Sequence, residues 1–420
     1  MCAKHSLQEN NRNTVIIWFA AMFLGFTLGF INLPFLQEFF NLIAKIFTRL
    51  FQFIAIPVIA IAVIGTLADL ADKKGTSKIF SRTIFYTLST TFAAAIVALL
   101  LFIIISPSAI SGVNANISDI PVSTEKLSYS EHFISIIPNN ILQPFLSGNV
   151  LSVLLVAFAI GLSLAFMPKS DNREVLIKAV RGMQELLFTL IKGLIFILPV
   201  GVLAFSAQLV VELKQGAAVE GLAQYTAVVI TSNLLQFFVV LPLFLLAKKI
   251  NPLTVIKAMS PALAFAFFSK SSAATLPLTL SSAENNLKLN PRIARFVLPI
   301  CTTINMNGCA AFILITSLFL MKNSGIELSI GTMIIWAFIA VIAAVGNAGV
   351  PMGCYFLTLS LMSSMNVNIE IMAIILPIYA VIDMIETGVN VWSDSVVATI
   401  TNKDLANKLD VSEIQEPQAA

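Results

Sequence analysis

Residues 268–277 read Phe-Ser-Lys-Ser-Ser-Ala-Ala-Thr-Leu-Pro, and they interrupt an otherwise apolar segment, 253–287. Lys257 lies at its start, and Lys288, Arg292 and Arg295 follow it. In a membrane chain, Lys and Arg collect on the cytoplasmic side. A segment with both flanks on that side cannot cross. It must enter and return as a re-entrant hairpin, with the Ser-rich stretch at its tip. Irregular backbone at membrane depth survives only where it is buried in protein or lines a cavity, because lipid cannot satisfy its N–H and C=O groups. This stretch therefore predicts a membrane protein built around a polar interior.

The composition agrees. Hydrophobic residues make up 58% of the 420-residue chain and charged residues 11%, with a mean hydropathy of +0.91. A soluble domain carries about 25% charge. The net charge of +3 is dispersed between apolar segments, which argues against a nucleic-acid partner. Cys2, Cys301, Cys309 and Cys354 show no paired spacing for a disulfide or metal framework, and His5 and His132 lie outside the apolar segments. The sequence has no HExxH pair and no nucleophile elbow, so an enzyme is not expected. Lys4 and Arg12 precede the first apolar run without a small-residue cleavage site, which reads as a retained span.

Apolar spans are predicted near 14–32, 50–71, 84–106, 148–167, 184–212 and 223–247, each long enough to cross about 30 Å of hydrocarbon. Basic clusters follow the second (Lys73, Lys74, Lys78, Arg82), the fourth (Lys169, Arg173, Lys178, Arg181) and the sixth (Lys248, Lys249, Lys257). That alternation puts both termini in the cytoplasm. Residues 1–250 read mainly as scaffold and subunit surface. Residues 251–402 read as a polar core, which the family resemblance given below makes the transport core: hairpin 1 (253–287), a broken crossing helix (293–321) interrupted at Thr-Thr-Ile-Asn-Met-Asn-Gly (302–308), hairpin 2 (328–365) interrupted at Asn-Ala-Gly-Val-Pro (347–351), and a polar crossing helix (368–402). Residues 403–420 read as a cytoplasmic tail. Two hairpins of opposite approach, each followed by a crossing helix with a polar centre, form the pattern of inverted repeats around a midplane site.

The last crossing carries Asp-Met-Ile-Glu-Thr-Gly-Val-Asn-Val-Trp-Ser-Asp (383–394). At about 3.6 residues per turn, Asp383, Glu386, Thr387, Asn390 and Asp394 share one face. A carboxylate at the centre of a spanning helix costs at least about 2.5–3.5 kcal/mol. Such a stripe predicts a track for a cation and a small charged solute.

Four motifs, Ser-Lys-Ser-Ser-Ala-Ala-Thr-Leu-Pro (269–277), Asn-Met-Asn-Gly (305–308), Ala-Gly-Val-Pro (348–351) and the 383–394 run, occur in order. With Ile137-Pro138-Asn139-Asn140 and Asn149-Val150-Leu151, they make the chain resemble the dicarboxylate/amino acid:cation symporters, the sodium-coupled glutamate-transporter family. The resemblance implies an all-α polytopic fold with eight transmembrane helices and two re-entrant hairpins, a homotrimer, and sodium ions as co-transported species with no organic cofactor. It implies a first sodium site from Asn305, Asn390 and Asp394 with carbonyls near Cys301. A second would use carbonyls of Thr303, Ala344, Val345 and Asn347, and a third Tyr86, Ser89, Thr90, Asn305 and Asn307. The family usually carries Asp at position 307, so the third ion is in question here. For an amino-acid substrate, it implies Asp383 and Thr387 at the ammonium, with Ser271, Ser272 and Asn390 at the α-carboxylate. Val350 would sit in the outer lid.

The side-chain end of the implied pocket departs from the acidic-substrate pattern. Glu386 stands where the acidic carriers have Arg, Cys309 where they usually have Thr, and Cys354 where they have Gly. A Glu there repels an acidic side chain in a low-dielectric pocket, as in the serine/threonine branch of the family. The expectation is therefore a sodium symporter of a small neutral amino acid in the plasma (inner) membrane. The alternative is an acidic amino acid or dicarboxylate carrier using another cation, with Lys270 the candidate; an ion channel is the remaining rival. Glu386 could also pair with Lys270 and serve structure alone.

Overall fold

The computed structural model describes residues 17, 20–21, 23–31, 33–71, 77–110, 137–147, 150–214, 219–345, 347, 352–365, 367 and 369–409. The described elements are helices, in the order α1 (Pro34–Ala71), α2 (Ser77–Ile105), the short α3 (Gln143–Ser147), α4 (Val150–Phe166), α5 (Asp171–Lys214) and α6 (Val219–Leu235). A π turn (Gln236–Val240) leads from α6 into α7 (Leu241–Ala247). Then come α8 (Pro252–Ser269), α9 (Ser272–Asn285), α10 (Pro291–Ile304), α11 (Asn307–Asn323), α12 (Ile330–Val345), α13 (Gly353–Ser364) and α14 (Glu370–Leu409).

Five of the described stretches are long and apolar enough to cross a membrane: Lys78–Ile105, Glu220–Ala247, Pro252–Ser269, Pro291–Asn323 and Glu370–Leu405. Helices run past the apolar segments that mark them in sequence. α1 begins at Pro34 rather than near residue 50, and α5 spans 171–214 rather than 184–212. Hydropathy marks only the lipid-depth part of a helix. The polar ends are fixed by local chemistry, here Pro at the first position of α1 and Asp171 and Glu174 in the first turn of α5.

The two halves pack differently. α1 lies along α4 and α5 through Phe47, Ala60, Ile64, Leu187 and Leu198. In the second half, α10 and α11 form one interrupted rod enclosed by α2, α6, α12 and α14. α11 is buried from Asn307 to Met321 on every face, so it has no polar stripe to turn outward.

Three local devices set the breaks that matter. Asn251 caps α8, its side chain accepting from Leu253 N, and α8 ends at Lys270 in the left-handed conformation (φ 54°). Glycine is the usual occupant there, because a side chain costs about 1–2 kcal/mol. Ser271 then caps α9, accepting from Ala274 N at 3.2 Å, so the chain reverses within two residues. Between α10 and α11 the helix breaks at Asn305 and Met306 (φ −96° and −105°), and Met352 (φ 63°) precedes α13.

The C-terminal end of α14 is anchored at Asp404. It accepts from Tyr86 Oη at 2.5 Å and Lys248 Nζ at 3.0 Å, while Lys403 Nζ donates to the carbonyl of Lys249 at 3.0 Å. The Tyr86 hydroxyl and the Asp404 carboxylate hold the Lys248 ammonium above the ordinary lysine range.

Candidate functional site

The three carboxylates in the middle of α14 are buried: Asp383, Glu386 and Asp394 are at most 4% exposed. A helix this polar is tolerable only if its neighbours supply partners, and they do so in two adjoining clusters.

The first cluster forms at the α10–α11 break. Asn305 Nδ2 donates to Asp394 Oδ1 at 3.0 Å and to Ser393 Oγ at 2.9 Å, and its Oδ1 accepts from Thr90 Oγ1 at 3.1 Å. Asn307 Nδ2 donates to Ser393 Oγ at 2.7 Å, and its Oδ1 accepts from Thr91 Oγ1 at 2.8 Å. Asn390 Oδ1 accepts from Gly308 N at 2.9 Å. Here α11 runs close against α14: a Cβ at Gly308 would lie 2.8 Å from Glu386 Cα and 2.8 Å from Asn233 Oδ1. Only glycine permits this approach. The result is a buried knot of amide, hydroxyl and carboxylate groups around Asp394.

Other residues expected at cation sites fall unevenly around it. The Tyr86 side chain points away to Asp404, while its backbone carbonyl accepts from Thr90 Oγ1 at 3.0 Å. Ser89 Oγ bonds back to Phe85 O at 2.7 Å on its own helix. The structure thus brings Thr91 to Asn307, where sequence reasoning had Tyr86, Ser89 and Thr90. The carbonyl of Cys301 accepts from Asn305 N at 2.8 Å. Thr303 is half-buried and its hydroxyl bonds to Ile300 O. Ala344 and Val345 end α12, with Ala344 O accepting from Asn347 N at 3.1 Å.

The second cluster lies one to three turns earlier on α14. Asp383 Oδ2 accepts from Met352 N at 3.2 Å, and Asp383 is electrostatically coupled to Lys270 at the α8–α9 turn. Thr387 Oγ1 donates to Asp383 O at 2.8 Å. Glu386 Oε2 accepts from Tyr379 Oη at 3.1 Å, while its Oε1 has no partner among the described residues. The acidic neighbour of Lys270 is Asp383, and Glu386 takes its hydrogen bond from Tyr379. Ser271 and Ser272 are buried at the start of α9. Val350, with Ala348, Gly349 and Pro351, lies outside the described residues.

Cysteine spacing in the sequence points to no pair, and the structure corrects this. Cys309 and Cys354 have Cα atoms 5.6 Å apart with their sulfurs at bonding distance. The first turns of α11 and α13 converge there, a long-range approach that leaves no trace in local spacing. Sequence reasoning also missed Thr91, Ser393, Tyr379 and the Met352 amide. Of these, Ser393 alone carried a signal, since it adjoins Asp394 on the polar face.

A helical bundle with an interrupted central rod and carboxylates enclosed among its apolar helices belongs to the multi-pass membrane transporters. Comparison with known proteins gives the family. The sodium:dicarboxylate symporter family matches residues 15–404, and the chain belongs to it. It is 26% identical to excitatory amino acid transporter 3 of Mus musculus over 94% of this chain and 86% of that one. It is likewise 26% identical to excitatory amino acid transporter 3 of Homo sapiens, over the same shares. Against excitatory amino acid transporter 1 of Homo sapiens the identity is 30%, over 59% of this chain and 46% of that one. The family is one of transporters, not of enzymes.

Proposed function

We propose that this protein is a sodium-coupled symporter of an acidic amino acid or related dicarboxylate. The family match across residues 15–404, together with the buried Asn305–Asp394 knot, carries this reading. The family description names sodium and a dicarboxylate, and the relatives are named as excitatory amino acid transporters. These matches favour the acidic class over the neutral preference expected from Glu386.

In this reading sodium binds at Asn305, Asn390 and Asp394, with further ions taken by carbonyls of Cys301, Thr303, Ala344, Val345 and Asn347, and by Tyr86, Ser89, Thr90 and Asn307. Asp383 and Thr387 receive the ammonium, the Ser271–Ser272 turn and Asn390 the α-carboxylate, and Lys270 the distal carboxylate. The pocket is bounded by Cys309, Cys354 and Glu386, with Val350 in the lid. α9, at 14 residues, would extend only about 21 Å and falls short of the hydrocarbon thickness, so α8–α9 acts as a re-entrant hairpin. The segment α12–α13 acts as its inverted counterpart, completing eight spans with residues 251–402 as the moving core. Scaffold spans form a trimer, and both termini face the cytoplasm.

One observation favours a neutral substrate instead. Glu386, at the side-chain end of the proposed pocket, has a buried oxygen with no partner among the described residues. Uptake into sodium-loaded and sodium-free vesicles, with labelled aspartate and serine competed by each common amino acid, tests both readings. Aspartate uptake that needs an inward sodium gradient supports the acidic reading; serine-selective uptake supports the neutral one. Uptake indifferent to sodium overturns symport.

A further inference from the structure

Cys309, Cys354 and Glu386 come from three different helices, α11, α13 and α14, yet their ligand atoms all lie within 4.8 Å of one another and all three residues are buried. Their surroundings are those of ligands. Asn347 Nδ2 donates to Cys309 Sγ at 3.0 Å and to Cys354 Sγ at 3.2 Å, and Asn390 Nδ2 donates to Cys309 Sγ at 3.3 Å. Once the disulfide is reduced, amide donors aimed at sulfur favour its anionic, metal-binding form and fix its orientation. Glu386 brings one carboxylate oxygen to the cluster, and its Oε1 has no hydrogen-bond partner among the described residues. The cluster does not suit sodium, which takes oxygen ligands; two thiolates and a carboxylate suit a borderline-soft divalent ion.

We propose that, with both cysteines reduced, Cys309, Cys354 and Glu386 bind a thiophilic divalent cation of the zinc class. Binding exchanges the two thiol protons for the metal, giving two metal–sulfur bonds and releasing two protons to solvent. Three protein ligands leave a fourth position open, the mark of an exchangeable site rather than a structural one. In this structure the two sulfurs are joined in a disulfide, so ligation first requires a thiol or phosphine reductant that supplies two electrons and, with solvent, two protons to give the two thiols. A disulfide oxidant such as oxidised glutathione would take two electrons and two protons from the thiols and so remove both ligands. The metal site stands on this cluster alone. Its effect on transport rests on the proposed function: an ion held there occupies Glu386 and ties α13 to α11, so it inhibits uptake.

The test uses the purified full-length protein in detergent, reduced with a phosphine and stripped of metal, then titrated with Cd²⁺ while thiolate-to-metal charge-transfer absorption is followed. The wild type should give a saturable one-to-one band that Zn²⁺ displaces. The Cys301→Ser variant should keep it, Glu386→Gln should bind more weakly, and the Cys309→Ser/Cys354→Ser double variant and the diamide-oxidised wild type should lose it. Size-exclusion profiles show that each variant is folded. The proposal is overturned if the reduced wild type gives no saturable band, or if the folded double variant or the oxidised protein gives the same band. Uptake by reconstituted wild type, with and without Zn²⁺, separates the two readings. A band with unimpaired uptake leaves the metal site standing and removes Glu386 from the solute pocket.

Discussion

Asn305 and Asp394 meet across 89 residues of sequence, the amide of one donating to the carboxylate of the other at 3.0 Å, with both side chains almost wholly buried. The contact joins the break in the central rod to the polar face of α14. It puts the Asp394 carboxylate next to the break between α10 and α11. An unneutralised carboxylate in such a place is costly, and a sodium ion would relieve that cost.

Replacing the carboxylate while keeping its shape isolates the charge. Asp394→Asn should weaken apparent sodium affinity by roughly 10- to 150-fold, the worth of one charge-assisted contact at about 1.5–3 kcal/mol. Concentrative uptake should be lost while the size-exclusion profile is kept. Sodium titration of uptake in proteoliposomes is the measurement. An unchanged sodium dependence would move the cation site elsewhere.

The close contact of α11 and α14 can be tested apart from transport. Gly308→Ala adds a methyl facing Glu386 Cα at 2.8 Å, and helix backbone cannot yield as a side-chain tip can. Overpacking of this kind costs about 1–3 kcal/mol. The variant should show a lower Tm in detergent than the wild type, whichever solute is carried. A wild-type Tm would mean that the two helices separate at little cost.

How much of this arrangement was legible beforehand depends on how local its cause is. The α8–α9 reversal falls within 268–277 because Ser271 caps the next helix with its own side chain, a short-range device visible in sequence. The break at Asn305–Met306 likewise falls within 302–308. The stripe on α14 follows from helical periodicity alone. The Thr91–Asn307 and Tyr379–Glu386 hydrogen bonds were not legible in advance. The first depends on which face α2 turns toward the rod. The second joins two residues of one helix seven positions apart, with nothing to distinguish Tyr379 from any other core aromatic. The meeting of Cys309 and Cys354 is also tertiary, produced by two helix starts converging.

Position 307 offers a test of ion number. Asn307 is held between Thr91 and Ser393, both of which can either donate or accept. Asn307→Asp therefore keeps two partners, with the Ser393 hydroxyl turned to donate, and adds a negative charge. The sodium-to-solute ratio, read from the reversal potential of coupled uptake, should rise in the variant. Should the ratio stay fixed while uptake persists, the Thr91–Asn307–Ser393 group takes no ion.

Lys270 is a base and Glu386 an acid in the proposed pocket, and in the proposed reading the solute's distal group answers to one of them. If Lys270 receives a distal carboxylate, Lys270→Met should weaken aspartate binding by about 30- to 150-fold, equivalent to about 2–3 kcal/mol, with serine changed much less. If Glu386 sets the preference, Glu386→Arg should raise aspartate affinity and lower serine affinity, because a guanidinium fork pairs with a carboxylate through two parallel hydrogen bonds. Asp383 is the control: it is coupled to Lys270, so Asp383→Asn should impair both solutes by removing the ammonium partner. Competition binding in saturating sodium distinguishes the cases directly. A Lys270→Met variant with wild-type aspartate affinity would remove Lys270 as the distal partner and leave the neutral-substrate reading of Glu386 in its place.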